Sequence, residues 1–98
     1  MNKQTQETQE QRWKRIGDTY YLKFSEITTK KSQRPDLHAF QLLDEIFPDT
    51  NDIISCTTHY MIFLDFGEKE SEKLTDDQII ELSRCGIFYN EDSLCMFV

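Results

Sequence analysis

Thr75-Asp76-Asp77-Gln78-Ile79-Ile80-Glu81-Leu82-Ser83-Arg84-Cys85-Gly86 is the stretch on which the fold turns. Thr75 and Gln78 have capping-box spacing, in which the hydroxyl accepts from the Gln78 amide and the Gln side chain reaches back. Asp76 and Asp77 suit the positive end of the helix dipole. Ile79, Ile80, Leu82 and Cys85 supply a buried side, and Gly86 supplies a left-handed C-cap. The pattern predicts a helix over 75–85. Immediately after it, Ile87-Phe88-Tyr89, the turn Asn90-Glu91-Asp92-Ser93, and Leu94 to Val98 read as a short hairpin.

Working back towards the N-terminus, Gly67 to Lys73 reads as a charged loop. Before it, Ile54, Cys56, Thr58, Tyr60, Ile62, Leu64 and Phe66 occupy alternate positions and form a nearly continuous apolar face. Because the alternation keeps phase, one long bent strand is expected. A hairpin turning near Thr57-Thr58 ranks second, since it lacks the Gly or Asn of tight turns.

Leu37, Phe40, Leu43 and Phe47, with Ile46, recur near helical period, so an amphipathic helix is expected over 36–47. Asp36 suits its start and Pro48 stops it. Thr19 to Ile27 alternates aromatic and polar residues and reads as a strand. Residues 1–15 are polar. They read as a flexible segment preceding a single domain over 16–98, with a polar helix running to Arg15 and docked by Trp13 and Ile16 as the alternative. The expected class is α+β in the order β-α-β-α-β-β, with one mostly antiparallel sheet carrying two helices on one face.

The chain has 98 residues and 38% hydrophobic content, enough for one core and not two. Its seven Phe, four Tyr and one Trp carry much of the burial. No apolar run approaches the roughly 18 residues of a membrane span, and the N-terminus has no apolar signal region. Cys56, Cys85 and Cys95 are odd in number and scattered among apolar residues. Reduced, buried thiols in the cytoplasm are expected.

Catalytic and cofactor signals are weak. There is no glycine-rich phosphate loop, G-x-S-x-G or H-E-x-x-H, and only three glycines. Cys56 and His59 stand three apart, which puts them on opposite sides of a strand. Structural zinc needs four closely spaced Cys or His ligands, and these are absent. The acidic run from Asp65 to Asp77 lacks the ligand order of a calcium loop. No enzyme activity, cofactor or metal is therefore expected.

Charge is the informative property. The net charge is −7. Residues 1–35 hold eight basic against four acidic residues, whereas residues 36–98 hold three basic against fourteen acidic. Candidate partner-binding residues are Asp44, Glu45, Asp49 and Asp52 near the end of the 36–47 helix. Glu68, Glu70, Glu72, Asp76, Asp77 and Glu81 form a second group, and Glu91 and Asp92 a third. Such a surface repels nucleic acid and anionic membranes and attracts basic proteins.

The expected function is a non-enzymatic protein that inhibits a basic partner. Blocking a nucleic-acid-processing enzyme by phosphate mimicry is the concrete form, and small acidic phage proteins that antagonise defence nucleases illustrate the class by analogy. An immunity or adaptor protein binding through Tyr21, Tyr89 or Trp13 is the alternative. A small enzyme using Cys56 or Cys85 is a third. A monomer, or a weak homodimer through the edge of the C-terminal hairpin, is expected.

Overall fold

The computed structural model describes residues 7–97. The polar stretch over 1–6 and the last strand position, Val98, lie outside the described residues. The order is α1 (Gln9–Gly17), α2 (Pro35–Ile46), β1 (Ile54–Thr57), β2 (Met61–Leu64), α3 (Glu68–Glu72), α4 (Asp76–Arg84), β3 (Ile87–Asn90) and β4 (Ser93–Phe97). The strands form one antiparallel sheet in the order β1-β2-β4-β3, so the fold is α+β.

α4 follows its local code. Thr75 Oγ1 accepts from the Gln78 amide at 3.1 Å, and Gln78 Oε1 accepts from the Thr75 amide at 2.9 Å. Gly86 closes the helix at φ +98, where a Cβ would meet Leu22. α2 starts with Pro35 in its first turn, as the fixed φ of proline permits.

Register divides the sheet into two unlike faces, because directly opposed residues point the same way. On one face Ile62, Met96 and Ile87 form a row, with Leu94 opposite Tyr89. This face meets Trp13 and Ile16 of α1, Leu42 and Leu43 of α2, and Ile79 and Leu82 of α4 in a single core. On the other face Cys56, Phe63, Cys95 and Phe88 form a row across all four strands. None of these four belongs to that core.

Two strand expectations are corrected. Residues 19–27 are not a strand: they hold 3₁₀ turns at Asp18–Tyr20 and Phe24–Glu26, with Leu22 at φ 63. Their backbone bonds close locally, Lys23 N–H to Tyr20 O at 3.0 Å and Ile27 N–H to Phe24 O at 3.1 Å. The link outward is Leu22 N–H to Ser83 O at 3.0 Å. The aromatic residues act as separate anchors instead. Tyr21 meets Phe88 edge-on, and Phe24 meets His38 edge-on.

The expected long strand over 54–66 is the hairpin β1–β2. Thr58 Oγ1 accepts from the amides of Tyr60 and Met61, at 3.3 and 3.0 Å, and does the work usually given to Gly or Asn. A bulge between Ile54 and Cys56 shifts the phase, so Cys56 shares a face with Phe63 and not with Ile62. The turn stands clear of the core, with Tyr60 77% exposed, and the molecule measures 46 × 28 × 28 Å.

The expected charged loop contains α3. Glu70 Oε1 accepts from the Gly67 amide at 2.8 Å and starts that short helix. At the N-terminal side α1 is a helix capped by Thr8, and its Trp13 is buried. Trp13 Nε1 donates to Ser71 Oγ at 2.9 Å, and Ser71 donates in turn to Gln9 at 2.7 Å. Arg12 donates to the carbonyls of Ser71 and Leu74, at 3.0 and 2.5 Å, which ties α1 to the α3–α4 junction. These bonds satisfy buried polar groups at the seam between non-local elements.

Candidate functional site

The twelve candidate carboxylates separate by what they touch. Four have structural partners. Glu70 caps α3, Asp76 lies 3.4 Å from Arg12, and Glu45 lies 3.0 Å from Lys31. Glu81 Oε2 lies 2.5 Å from Nε2 of the fully buried His38. The His38 Nδ1 accepts from the Lys31 amide at 3.0 Å, so the pattern assigns the proton to Nε2 and makes Glu81 the acceptor.

The other candidates, Asp44, Asp49, Asp52, Glu68, Glu72, Asp77, Glu91 and Asp92, are exposed. Among the described residues no ion pair or hydrogen bond engages their side chains. These are the groups free to meet another molecule.

Some of them converge. Tyr89 is 7% exposed and packs on the helix-bearing face of the sheet. Burial raises its hydroxyl pKa above the usual range, and the negative charges of Asp92, Glu68, Glu10 and Glu72 raise it further. The fold thus brings together carboxylates from α1, the α3 segment and the terminal turn. Glu10 was not among the residues marked from the sequence. It sits in the polar N-terminal stretch, and only the docking of α1 carries it there.

Beside this acidic rim runs an aromatic groove of about 450 Å³. β3 is an edge strand, and all of it, Ile87 to Asn90, lines the groove. Glu10, Lys14 and Asp18 form one wall, and Tyr21, Met61 and Phe97 form part of the other. Phe88 and Phe97 stack with ring centroids 4.9 Å apart, and Phe97 is 57% exposed. Of the aromatic anchors expected from the sequence, Tyr21 borders this groove half-buried. Trp13 and Tyr89 belong to the core, so an exposed-anchor role is corrected for both.

Two of the three thiols show little reactive character. Cys56 is exposed on β1, contrary to the expected burial, while Cys85 and Cys95 are buried and all three are free. Burial pushes the Cys85 thiol up to about 12, helped by the charge of Glu81, and the Cys95 thiol up to about 11. A thiol that stays protonated is a poor nucleophile. In the native protein at pH 8, a thiol-specific reagent should label one cysteine, Cys56. Unfolding in denaturant should release the other two. Mass mapping that finds Cys85 labelled in the folded protein would refute this assignment.

Among the described residues no group of three or more His, Cys, Asp or Glu could hold a metal ion, and no helix is long and apolar enough to cross a membrane. No protein-family model matches this chain, and neither curated proteins nor solved structures give a significant match.

Proposed function

We propose that the chain is a non-catalytic binding protein that docks on a basic protein and inhibits it by occupying a surface built for phosphates. The observation that carries this reading is the set of exposed carboxylates without partners among the described residues, above all Glu91 and Asp92. These two form the turn between β3 and β4 at φ 51 and 63. A two-residue turn of this left-handed kind favours Asn and Gly, and placing other residues there costs of order 1 kcal/mol each. Glu and Asp at those positions set negative charge at an exposed tip, next to the rim that contains Glu68 and Glu72. The free thiols suit a reducing compartment, so the cytoplasm is the proposed location.

The test uses the partner captured from the native host at low salt and identified by mass spectrometry. Charge-steered association should weaken about tenfold or more as added salt shortens the screening length from about 10 Å to about 3 Å. The double variant Glu91→Asn with Asp92→Gly should raise the unfolding free energy by about 1–2 kcal/mol and weaken partner binding. A more stable variant with unchanged affinity would show that the turn is not recognised. Affinity indifferent to salt would overturn the electrostatic reading as a whole.

A further inference from the structure

The groove along β3 has a closed floor and accessible walls. Trp13, Ile87 and Tyr89 line its floor and are buried, main chain included. What the groove can recognise is therefore decided by the side chains of its walls. One wall is a row of rings. Tyr21 meets Phe88 edge-on with centroids 6.3 Å apart, and Phe88 stacks on Phe97 at 4.9 Å. Phe97 is exposed, and Tyr21 and Phe88 are half-buried. Met61 stands opposite Phe97 in the register of β2 and β4 and extends the apolar wall.

The other wall is ionic. Glu10, Lys14 and Asp18 follow one another at four-residue spacing along α1 and its C-cap, so they share one side of the helix. All three are exposed, and among the described residues no ion pair or hydrogen bond engages their side chains. Two carboxylates against one ammonium leave this wall negative. Asp18 also adjoins the rings, because its carbonyl accepts from the Tyr21 amide at 3.3 Å. Elsewhere along the groove, Asn90 leads directly into Glu91 and Asp92, the carboxylate tip of the proposed interface. A partner docked on that tip has the groove beside it.

Rings set beside carboxylates suit a cation that brings its own flat surface, since ring faces are the negative side of the aromatic quadrupole. A guanidinium fits better than an ammonium. It is planar, weakly hydrated, and carries a fork of donors that a carboxylate accepts. We infer that the groove seats an arginine side chain of the partner, its guanidinium laid against Phe88 and Phe97 and donating to Asp18. This rests on the proposed basic partner and names the side chain by which that partner is held. Glu10 adds to the negative field, whereas Lys14 brings a like charge into the groove and limits affinity. A second copy of this chain is a poor occupant, because both copies carry a net charge of −7.

The test titrates the full chain with N-acetyl-arginine amide and observes it by NMR. Saturable shifts of the Tyr21, Phe88 and Phe97 ring signals are expected, with a dissociation constant of order 10 mM for this single side chain. The capped citrulline, its neutral isostere, and the capped lysine should each bind at least about threefold more weakly. Asp18→Asn and Phe97→Ser should weaken arginine binding about threefold or more, and Lys14→Gln should tighten it about threefold. All three change exposed side chains, so the unfolding midpoint should stay nearly unchanged. The gain at Lys14→Gln is a result that misfolding cannot imitate.

No saturable shift up to about 100 mM, or equal binding of the citrulline or lysine probe, would overturn the inference. Ring shifts that grow with protein concentration alone would overturn it in favour of a second copy. If partner binding stays salt-sensitive and depends on Glu91 and Asp92 but ignores Asp18→Asn and Phe97→Ser, the groove has no part in it and the proposed function stands without it. If the probe binds and both groove variants weaken the partner while the Glu91→Asn, Asp92→Gly variant does not, the inference holds and the role proposed for the tip fails.

Discussion

Replacing Trp13 by alanine should lower the unfolding free energy by about 3–5 kcal/mol, a large share of the roughly 5–15 kcal/mol available to a domain of this size. Two losses combine. The indole is 4% exposed and lies in the core beside Ile16, so its removal leaves a cavity that α1 and α4 cannot close without moving. Its Nε1 also donates to Ser71 Oγ, which then keeps only its bond to Gln9.

The expected signature in urea is a lower midpoint with little change in slope, which marks lost stability and not a changed denatured state. Ser71→Ala removes the hydrogen bond but keeps the ring, and should cost about 1–2 kcal/mol. If Trp13→Ala and Ser71→Ala cost the same, the ring contributes nothing by burial and the account of α1 docking is wrong. The stakes extend to the acidic rim, because Glu10 lines the groove with Tyr89 only while α1 is docked.

The second large effect is expected at His38. Its imidazole is fully buried and joins three segments: α2, which carries it, the basic loop through the Lys31 amide, and α4 through Glu81. His38→Ala leaves a cavity, an unsatisfied Lys31 amide and a carboxylate that loses its donor, for a loss of about 2–4 kcal/mol. Glu81→Gln should cost less, about 1 kcal/mol or below, because an amide oxygen can still accept from Nε2.

Denaturant titration of both variants separates the cases. If His38→Ala cost under about 1 kcal/mol, the histidine would be a bystander and Glu81 would return to the group of free carboxylates. The comparison matters for function as well. Glu81 was marked from the sequence as partner-binding because it lies on an acidic helix, and sequence carries no sign of a buried base opposite it.

Local signals were legible where a segment supplies its own hydrogen-bond partners. The Thr75–Gln78 box, the left-handed Gly86 and the Pro35 start all act within a few residues, and α2 and α4 formed where they were read. The terminal hairpin belongs with them, since its two-residue turn sets its own register. The reading failed where a pattern was right but its partner was elsewhere. Residues 19–27 alternate like a strand, yet a strand needs a neighbouring edge. Here Tyr21 and Phe24 find better contacts as single anchors on Phe88 and His38. Ile54 to Phe66 alternates without slipping in sequence, yet Thr58 folds the chain back and a bulge resets the phase.

The candidate site divides in the same way. The acidity of residues 36–98, the lack of a catalytic or phosphate-binding motif and the α+β class all follow from residue types and short spacings, so the sequence by itself determined them. Which carboxylates are free and which are structural, and the arrival of Glu10 at the groove along β3, were decided by the tertiary structure alone. Each depends on contacts between residues tens of positions apart, Trp13 with Ser71 and His38 with Glu81 among them. Such contacts form when apolar faces are buried together, and no local period in the chain encodes which faces will meet.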